Sequence, residues 1–552
     1  MNIVYFLLNQ FFNEESLNIT LIIVTSFIIN IFQTNGISYI SATMIDSIQK
    51  NDKVNVNLFF KYFIFVSVLF IILYNIYKYF QNKLLTKLRQ WMRNELIKML
   101  LIVNNENFSE INFTKLNSPI NRISSVCFMV FNDIITYILP NITFLFIITG
   151  YFLYSNLLFG LIFIIGNLVL MAYLYFNWGD MITQNEEYEK YVNDNESYLV
   201  EILNNIDKII YRGQTETEIS EFSKKTDKSI NSAFNFYSNT AYHSTMMNIM
   251  VFIIIFLCIG QIIYMFFNKT IGLKLFITFF TILLLYRDRI LTVIQQIPDF
   301  IEFLGRSDSV VKHFKTMAND YEKVLKTKYN NHFDLPFNKI TFENVTFKYK
   351  SGFSNVLDNF SKTIYLNHKI IGIVGLSGNG KSTFAKLIIK LYIPDFGNIY
   401  IDDQNVDKID GNYIRNNITY VNQNSKLFDR KIIENLLYGC YDLDICNKYL
   451  HIIMKYPKIK ELYKNIDIHN KSAGLFGENL SGGQRQVVNL ISGLIMPTKI
   501  VILDEPTNAL DMALKKEVIQ MITDFKQYKK SIIIITHDKD VFPILDETIK
   551  IG

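Results

Sequence analysis

Residues 370–383 read Ile370-Ile-Gly-Ile-Val374-Gly375-Leu376-Ser377-Gly378-Asn379-Gly380-Lys381-Ser382-Thr383. A short strand-like run enters a glycine-rich loop, and Ser382–Leu391 behind it has helical spacing. Glycine permits the backbone angles that let successive N–H groups curl around a phosphate, and a helix start adds a positive dipole end. Lys381 is placed to reach the β- and γ-phosphates of a nucleotide, and Ser382 to ligate Mg2+. A strand, a phosphate loop and a helix in this order predict an α/β nucleotide-binding domain.

Downstream, Ile500-Val-Ile-Leu-Asp504-Glu505-Pro506 is an apolar strand ending in two carboxylates. Asp504 is placed to hold Mg2+, directly or through water, and Glu505 to orient or deprotonate an attacking water. Two acids at a strand end can be plain solvation, but behind a phosphate loop the chemical reading outweighs that one. From Pro336 onward, β-rich runs at Lys339–Tyr349, Lys369–Val374, Ile399–Ile401, Lys499–Leu503 and Ser531–Ile535 alternate with helical stretches.

Upstream the composition changes. Half of the 552 residues are hydrophobic, and the apolar excess lies in the first part of the chain. Six stretches near 17–42, 58–80, 126–154, 156–177, 247–267 and 271–292 are long enough to cross a bilayer, which takes about 20 residues. Long loops follow the second and fourth stretches, and short turns join the others. The first long loop holds Lys83, Lys87, Arg89, Arg93, Lys98, Lys115 and Arg122, against Lys50, Lys53, Lys269 and Lys274 on the opposite side. The excess of basic residues predicts a multi-pass membrane protein whose N-terminus, long loops and soluble half face the cytoplasm or the matrix-equivalent side. Which membrane this is stays open. The expected organisation is an all-α six-helix transmembrane domain over 1–305 with long intracellular helices, a linker over 306–337 and the nucleotide-binding domain over 338–552. No internal repeat is visible, so each kind of domain occurs once.

Other classes recede on composition. A net charge of +5 is small for this length and does not point to nucleic acid. Met1 to Ser16 holds no Lys or Arg, unlike a cleaved secretory signal or a transit peptide. Cys127, Cys258, Cys440 and Cys446 show no zinc-type pairing and read as buried or incidental thiols.

Between the two nucleotide motifs lies Leu480-Ser481-Gly482-Gly483-Gln484. This resembles the signature of the ABC transporter superfamily, and the soluble half agrees with that family in order and spacing. Tyr349 resembles the aromatic that stacks on adenine. Gln423 in Tyr420-Val-Asn-Gln resembles the Q-loop glutamine, Asn508-Ala-Leu-Asp511 the D-loop, and His537 in Ile535-Thr-His the switch histidine. With six apolar stretches ahead, the whole resembles a half-size exporter, which implies an ABC ATPase domain with a helical subdomain.

The resemblance implies ATP and Mg2+ as cofactors. Its nucleotide contacts fall on Tyr349, Gly375, Ser377, Gly378, Asn379, Gly380, Lys381, Ser382 and Thr383, and on Ser481, Gly482, Gly483, Gln484 and Asp511. Ser382, Gln423 and Asp504 are its metal ligands, and Glu505, His537 and Gln423 its catalytic residues. Because the signature of one domain completes the ATP site of another, it implies a second half-transporter: a homodimer by default, a heterodimer as the alternative. The other partners are the lipid bilayer and a small-molecule or lipid substrate, with no nucleic acid. Loop tips near 107–117 and 208–217 are expected to dock near Gln423 and Leu427-Phe-Asp-Arg.

The sequence departs from the family in three places. Leu475 in Ala473-Gly-Leu-Phe-Gly stands where a glutamate is usual. The helix after the signature reads Gln486-Val-Val-Asn-Leu-Ile-Ser and lacks two common arginines. The chain stops at Gly552, where relatives usually continue. No phosphate, Mg2+ or water ligand is touched, so hydrolysis stays the expectation. The alternative is a degenerate ATPase acting as a nucleotide-gated regulator or as the weak half of a heterodimer.

Tyr286-Arg287-Asp288-Arg289 lies in the sixth stretch. Counted from Leu273, Arg287 is about 21 Å along a helix. It either belongs to an anion-contacting patch on an inward-facing cavity, or it and Asp288 lie at the cytoplasmic interface or pair with other helices. Asn30, Gln33, Asn35 and Gln261 are either cavity-lining or interhelical partners. A faint likeness to the mitochondrial branch that exports glutathione-linked sulfur compounds leaves the substrate open.

Overall fold

A computed structural model describes residues 3–106, 108, 117–311, 314, 317–326, 334–350, 352, 354–376, 378, 380–423, 426–464 and 466–551. Two compact units form, Met1–Met99 with Asn112–Asn319 and Leu100–Ile111 with Asp320–Gly552.

The first unit is helical: α1 (Ile3–Glu14), α2 (Ser16–Ile31), α3 (Tyr39–Gln49), α4 (Lys53–Val103), α5 (Asn117–Asp133), α6 (Leu139–Ser155), α7 (Leu157–Asn204), α8 (Ile206–Tyr211), α9 (Thr215–Phe267) and α10 (Leu273–Val311). A helix α11 (Met317–Lys326) follows. Wider π turns at Phe32–Ser38 and Ile134–Ile138 join α2 to α3 and α5 to α6.

Five rods, Ser16–Gln49, Lys53–Val103, Ile120–Ser155, Leu157–Asn204 and Thr215–Phe267, are long and apolar enough to cross a membrane. The sixth expected stretch lies in α10, whose Lys274, Arg287, Asp288 and Arg289 keep it outside that set. Asn156 makes the tight turn between α6 and α7, its side chain accepting from the Phe159 N–H at 3.0 Å. Phe152, Phe159, Phe163, Phe279 and Tyr286 interlock where α6, α7 and α10 meet, with Phe152 and Phe159 centroids 4.5 Å apart. A Cβ at Gly166 would approach Ile254 to 2.6 Å, so the glycine permits the close crossing of α7 and α9.

The second unit holds two sheets. One is antiparallel, ordered β2 (Leu357–Tyr365), β1 (Lys339–Phe347), β4 (Phe396–Ile401), β5 (Gln404–Asn405). The other is parallel, ordered β6 (Ile418–Val421), β7 (Ile500–Asp504), β8 (Ser531–Ile535), β3 (Ile370–Val374), β9 (Glu547–Lys550). Strands β7 and β8 are buried along their whole length, as continuous Ile/Val runs require when helices cover both faces. The helices are α12 (Lys381–Ile388), α13 (Gly411–Asn417), α14 (Ile432–Leu436), α15 (Leu443–Ile453), α16 (Pro457–Leu462), α17 (Gly482–Leu494) and α18 (Met512–Phe525).

The end of α4 belongs to this second unit. Glu106 pairs with the buried Lys390 at 3.1 Å and accepts from the Gly411 N–H at 2.9 Å. Arg415 donates to Asn105 at 2.6 Å, and the Phe108 N–H donates to the Leu391 carbonyl at 2.8 Å. The expected first tip, 107–117, lies mostly outside the described residues. Its described residue Phe108 meets Leu391, and its expected docking near Leu427-Phe-Asp-Arg falls on residues outside the described ones. The second tip includes α8, which exposes Ile206, Ile210 and Tyr211.

Cys440 and Cys446 correct the reading of them as separate thiols: a disulfide joins them, with Cα atoms 6.6 Å apart. Gly439, at φ +83°, reverses the chain, and Asp442 caps α15 by accepting from the Ile445 N–H, which returns residue 446 over residue 440. Cys127 and Cys258 are buried and free.

Candidate nucleotide-binding site

Sheet order assembles the site. The phosphate loop leaves β3, His537 follows β8, and Asp504 and Glu505 close β7. These three strands are neighbours in the order β7-β8-β3 and run parallel. All three sets of groups therefore emerge at one carboxyl edge, where open α/β sheets bind ligands.

Gly378 and Gly380 take φ of +88° and +83°, left-handed angles that only glycine adopts at little cost. A Cβ at Gly375 would stand 2.4 Å from the Ile551 carbonyl, and one at Gly380 would stand 2.6 Å from Val356, so larger residues are excluded at both ends of the loop. Ser377 and Asn379 lie outside the described residues. Lys381 opens α12, and its ammonium donates to the Gly375 and Leu376 carbonyls at 3.0 and 2.8 Å. Those bonds fold the side chain back over the glycine loop. Thr383 shares a 2.7 Å hydrogen bond with the Tyr349 hydroxyl. The Tyr349 ring meets Phe347 and Tyr392 edge-on at 5.1 and 5.4 Å, which fixes it beside the start of α12.

Asp504 is 3% exposed, and its Oδ2 accepts from the Tyr420 hydroxyl at 2.8 Å. Burial, then the Asp504 charge, pushes the Tyr420 phenol well above its ordinary range, so it stays a donor. Glu505, 8% exposed, adopts φ +50°, a costly angle for a non-glycine residue. Its N–H donates to the Ile535 carbonyl at 2.9 Å, and its own carbonyl accepts from Gln486 at 3.2 Å. The carboxylate lies 2.6 Å from Nδ1 of His537, a largely exposed ring. Behind His537, Asp538 accepts from Thr507 at 2.7 Å and pairs with Lys515 at 2.7 Å. Burial raises the Asp538 carboxyl, but the Lys515 and Thr507 bonds outweigh it and hold the group below its ordinary range.

Gln423 stands half-buried just past β6. Asp511 caps α18, its carboxylate accepting from the Ala513 and Leu514 N–H groups. Ser481 caps α17: its hydroxyl accepts from the Gln484 N–H at 3.2 Å, while Gln484 accepts from the Ser481 N–H at 2.9 Å. Ser481 and Gly482 are exposed, and a Cβ at Gly482 would meet nothing within 4 Å. The signature thus presents a capped helix start to the surface. Leu475 is 55% exposed, and Phe476 beside it, at φ +57°, lies under the Lys426 ammonium at 4.3 Å. An exposed apolar pair occupies the place where a glutamate is usual.

The Asp504 carboxylate, the Ser382 hydroxyl and the Gln423 amide expected as metal ligands would all offer oxygen, which suits a hard cation. Among the described residues no group of three His, Cys, Asp or Glu could hold a metal alone. One carboxylate beside a phosphate cradle is what a Mg2+–nucleotide pair needs. Tyr420 and Gln486 escape sequence reading. Their signal, a donor one strand over and a donor one helix turn beyond the signature, is legible only once the strand order is known.

A phosphate cradle, a buried carboxylate and a surface helix start define a P-loop ATP-binding domain, here behind a helical membrane unit. The ABC transporter profile matches residues 357–508, and the ABC transporter transmembrane region profile matches residues 17–287. The chain belongs to the ABC transporter family. It is 34% identical over 227 residues to the lactococcin-G-processing and transport ATP-binding protein of Lactococcus lactis, covering 39% of this chain and 30% of that one. The mating factor M secretion protein of Schizosaccharomyces pombe is 27% identical over 347 residues, 62% of this chain and 25% of that one. The alpha-hemolysin translocation ATP-binding protein of Escherichia coli is 37% identical over 202 residues, 36% and 28% of the two chains. The matched parts thus span about a quarter to a third of these relatives' lengths. In fold, the chain is similar to a bacterial Atm1-family ABC exporter with ATP bound, at a TM-score of 0.72 and 18% identity, covering 98% of this chain and 94% of that one.

Proposed function

We propose that two copies of this chain form an ATP-hydrolysing exporter, each copy closing the other's ATP site with its signature. The observation that carries this reading is the 2.6 Å contact between Glu505 and His537 beside the buried Asp504, at the same sheet edge as the phosphate loop. Lys381 leaves the Gly375 and Leu376 carbonyls to meet the β- and γ-phosphates. Asp504, Ser382 and Gln423 would hold Mg2+, whose charge would offset that of the phosphates. Glu505 takes the proton of the attacking water as its oxygen bonds the γ-phosphorus, and the bond to the ADP oxygen breaks. His537 holds the Glu505 carboxylate before the nucleotide arrives. Tyr349 flanks adenine, and Ser481, Gly482, Gly483 and Gln484 face the γ-phosphate of the partner copy's ATP, with Asp511 nearby. ATP favours a closed dimer and hydrolysis releases it, so the membrane helices alternate between two states. The relatives named for transport, secretion and translocation support the outward direction of transport.

Leu475, exposed where a charged contact is usual, favours a second reading in which this chain is the weak half of a heterodimer. ATP turnover by the chain purified alone in lipid nanodiscs separates the two. The exporter reading expects Glu505→Gln to lower the steady-state rate by roughly 100-fold or more. Equal, slow rates in both proteins leave only the degenerate ATPase.

A further inference from the structure

Within the membrane unit, a cavity of about 410 Å3 opens where both π turns meet α4 and α10. π turns inside α-helical rods often mark functional sites, because they release the regular hydrogen-bond ladder. Here they place Gln33 and Thr136 in the lining. The volume is that of a small-molecule pocket, which runs from roughly 300 to 1,000 Å3.

Its charge is unbalanced. Arg289 lines the cavity, donates to the neutral Gln33 amide and lies 4.6 Å over the Phe144 ring. Lys78, also in the lining, donates to Gln81 at 2.9 Å. Among the described residues no carboxylate pairs with either cation. Asp288 is in the lining too, but Arg287 holds it at 2.8 Å. In the Tyr-Arg-Asp-Arg run, Arg287 thus pairs with its own neighbour Asp288 rather than with another helix, and the cation in the cavity lining is Arg289. Asn141 adds a buried side-chain oxygen without a partner among the described residues, in the same lining. Cations and unsatisfied polar atoms inside a membrane domain are costly and mark ligand paths. Phe70, Tyr74, Tyr77 and Tyr137 form the aromatic part of the wall.

We propose that this cavity is a cargo subsite for an amphipathic anion, with Arg289 and Lys78 receiving a carboxylate or phosphate group and the aromatic wall holding the apolar body. The inference rests on the exporter reading and names its cargo class.

The test uses the full-length dimer in nanodiscs and 11-(dansylamino)undecanoate, with its methyl ester as the neutral match and empty nanodiscs as background. The acid is expected to bind about tenfold or more tighter than the ester, the worth of a charge-assisted contact. Arg289→Gln is expected to abolish the preference while ester binding persists, which shows that the variant is folded. Arg289→Lys is expected to keep most of it. Acid and ester binding alike, or a preference that survives in Arg289→Gln, overturns the proposal. Water-soluble naphthaleneacetate and bilayer-resident lysophosphatidate compete in separate arms. Displacement by the first assigns an aqueous source and by the second a membrane source, while displacement by neither overturns it. Basal ATP turnover, measured beside Glu505→Gln, fails only if the exporter reading itself fails.

Discussion

Asp504 shows how one residue's surroundings set its task. A buried carboxylate needs donors, and the Tyr420 hydroxyl supplies one at 2.8 Å. That bond fixes the carboxylate's plane, so Tyr420 acts by positioning a proposed metal ligand. Tyr420→Phe removes the donor with little change in volume. ATP turnover is expected to need about tenfold or more Mg2+ for half-maximal rate, as loss of an outer-shell partner does. A Mg2+ titration of the variant checks this; an unchanged midpoint with a lower ceiling assigns Tyr420 to packing alone. Neither role is legible in Tyr420-Val-Asn-Gln, because Asp504 lies far along the chain and meets Tyr420 only through the β6–β7 pairing.

At the scale of elements, Lys529 ties the loop ahead of β7 to the loop ahead of β8. It is 2% exposed, and its ammonium donates to the Met496 carbonyl and, at 3.5 Å, to that of Thr498. Burial pulls the amine down to about 8 from 10.5. Between these values the unfolded chain holds a proton that the folded one has released. The contribution of Lys529 to stability therefore rises as pH climbs from about 8 to about 10.5, by up to roughly 1.4 kcal/mol per unit. Below about 8 both states are protonated and the slope vanishes. Lys529→Met is expected to flatten that rise. Amide-exchange protection of Ile500–Asp504 and Ser531–Ile535, corrected for intrinsic rates, reads it. A rise preserved in the variant places the titrating group elsewhere.

Element boundaries repeat the lesson. The apolar runs of β7 and β8 are legible because strands buried on both faces must be apolar. Strand β2 is not, because Leu357–Tyr365 is an edge strand with mostly half-buried or exposed side chains. The membrane rods are legible as apolar stretches, whereas their π turns are not, because Phe32–Ser38 reads like any polar interruption of a helix. The Cys440–Cys446 bond escapes because it needs the Gly439 reversal and the α15 cap together.

At the scale of the whole molecule, the signature helix presents Ser481 and Gly482 outward, so the proposed site closes only with a second copy. Equal mixing of wild-type and Glu505→Gln chains before reconstitution tests this. Random pairing with two coupled sites is expected to lower turnover per wild-type chain by about half. A rate that scales with the wild-type fraction alone shows that each chain works independently.

The sequence by itself determined the family and the two kinds of domain, and it supplied the glycines, lysine, carboxylates and signature of the proposed nucleotide site. These are local patterns: a phosphate loop needs contiguous glycines, and a span needs contiguous apolar residues. Only the tertiary structure decided which partner each group keeps. It gave His537 to Glu505, Tyr420 to Asp504, Gln486 to the Glu505 carbonyl and Asp288 to Arg287, and it left Arg289 facing a cavity. Those pairings depend on strand order and helix packing, which bring together residues that no spacing along the chain relates.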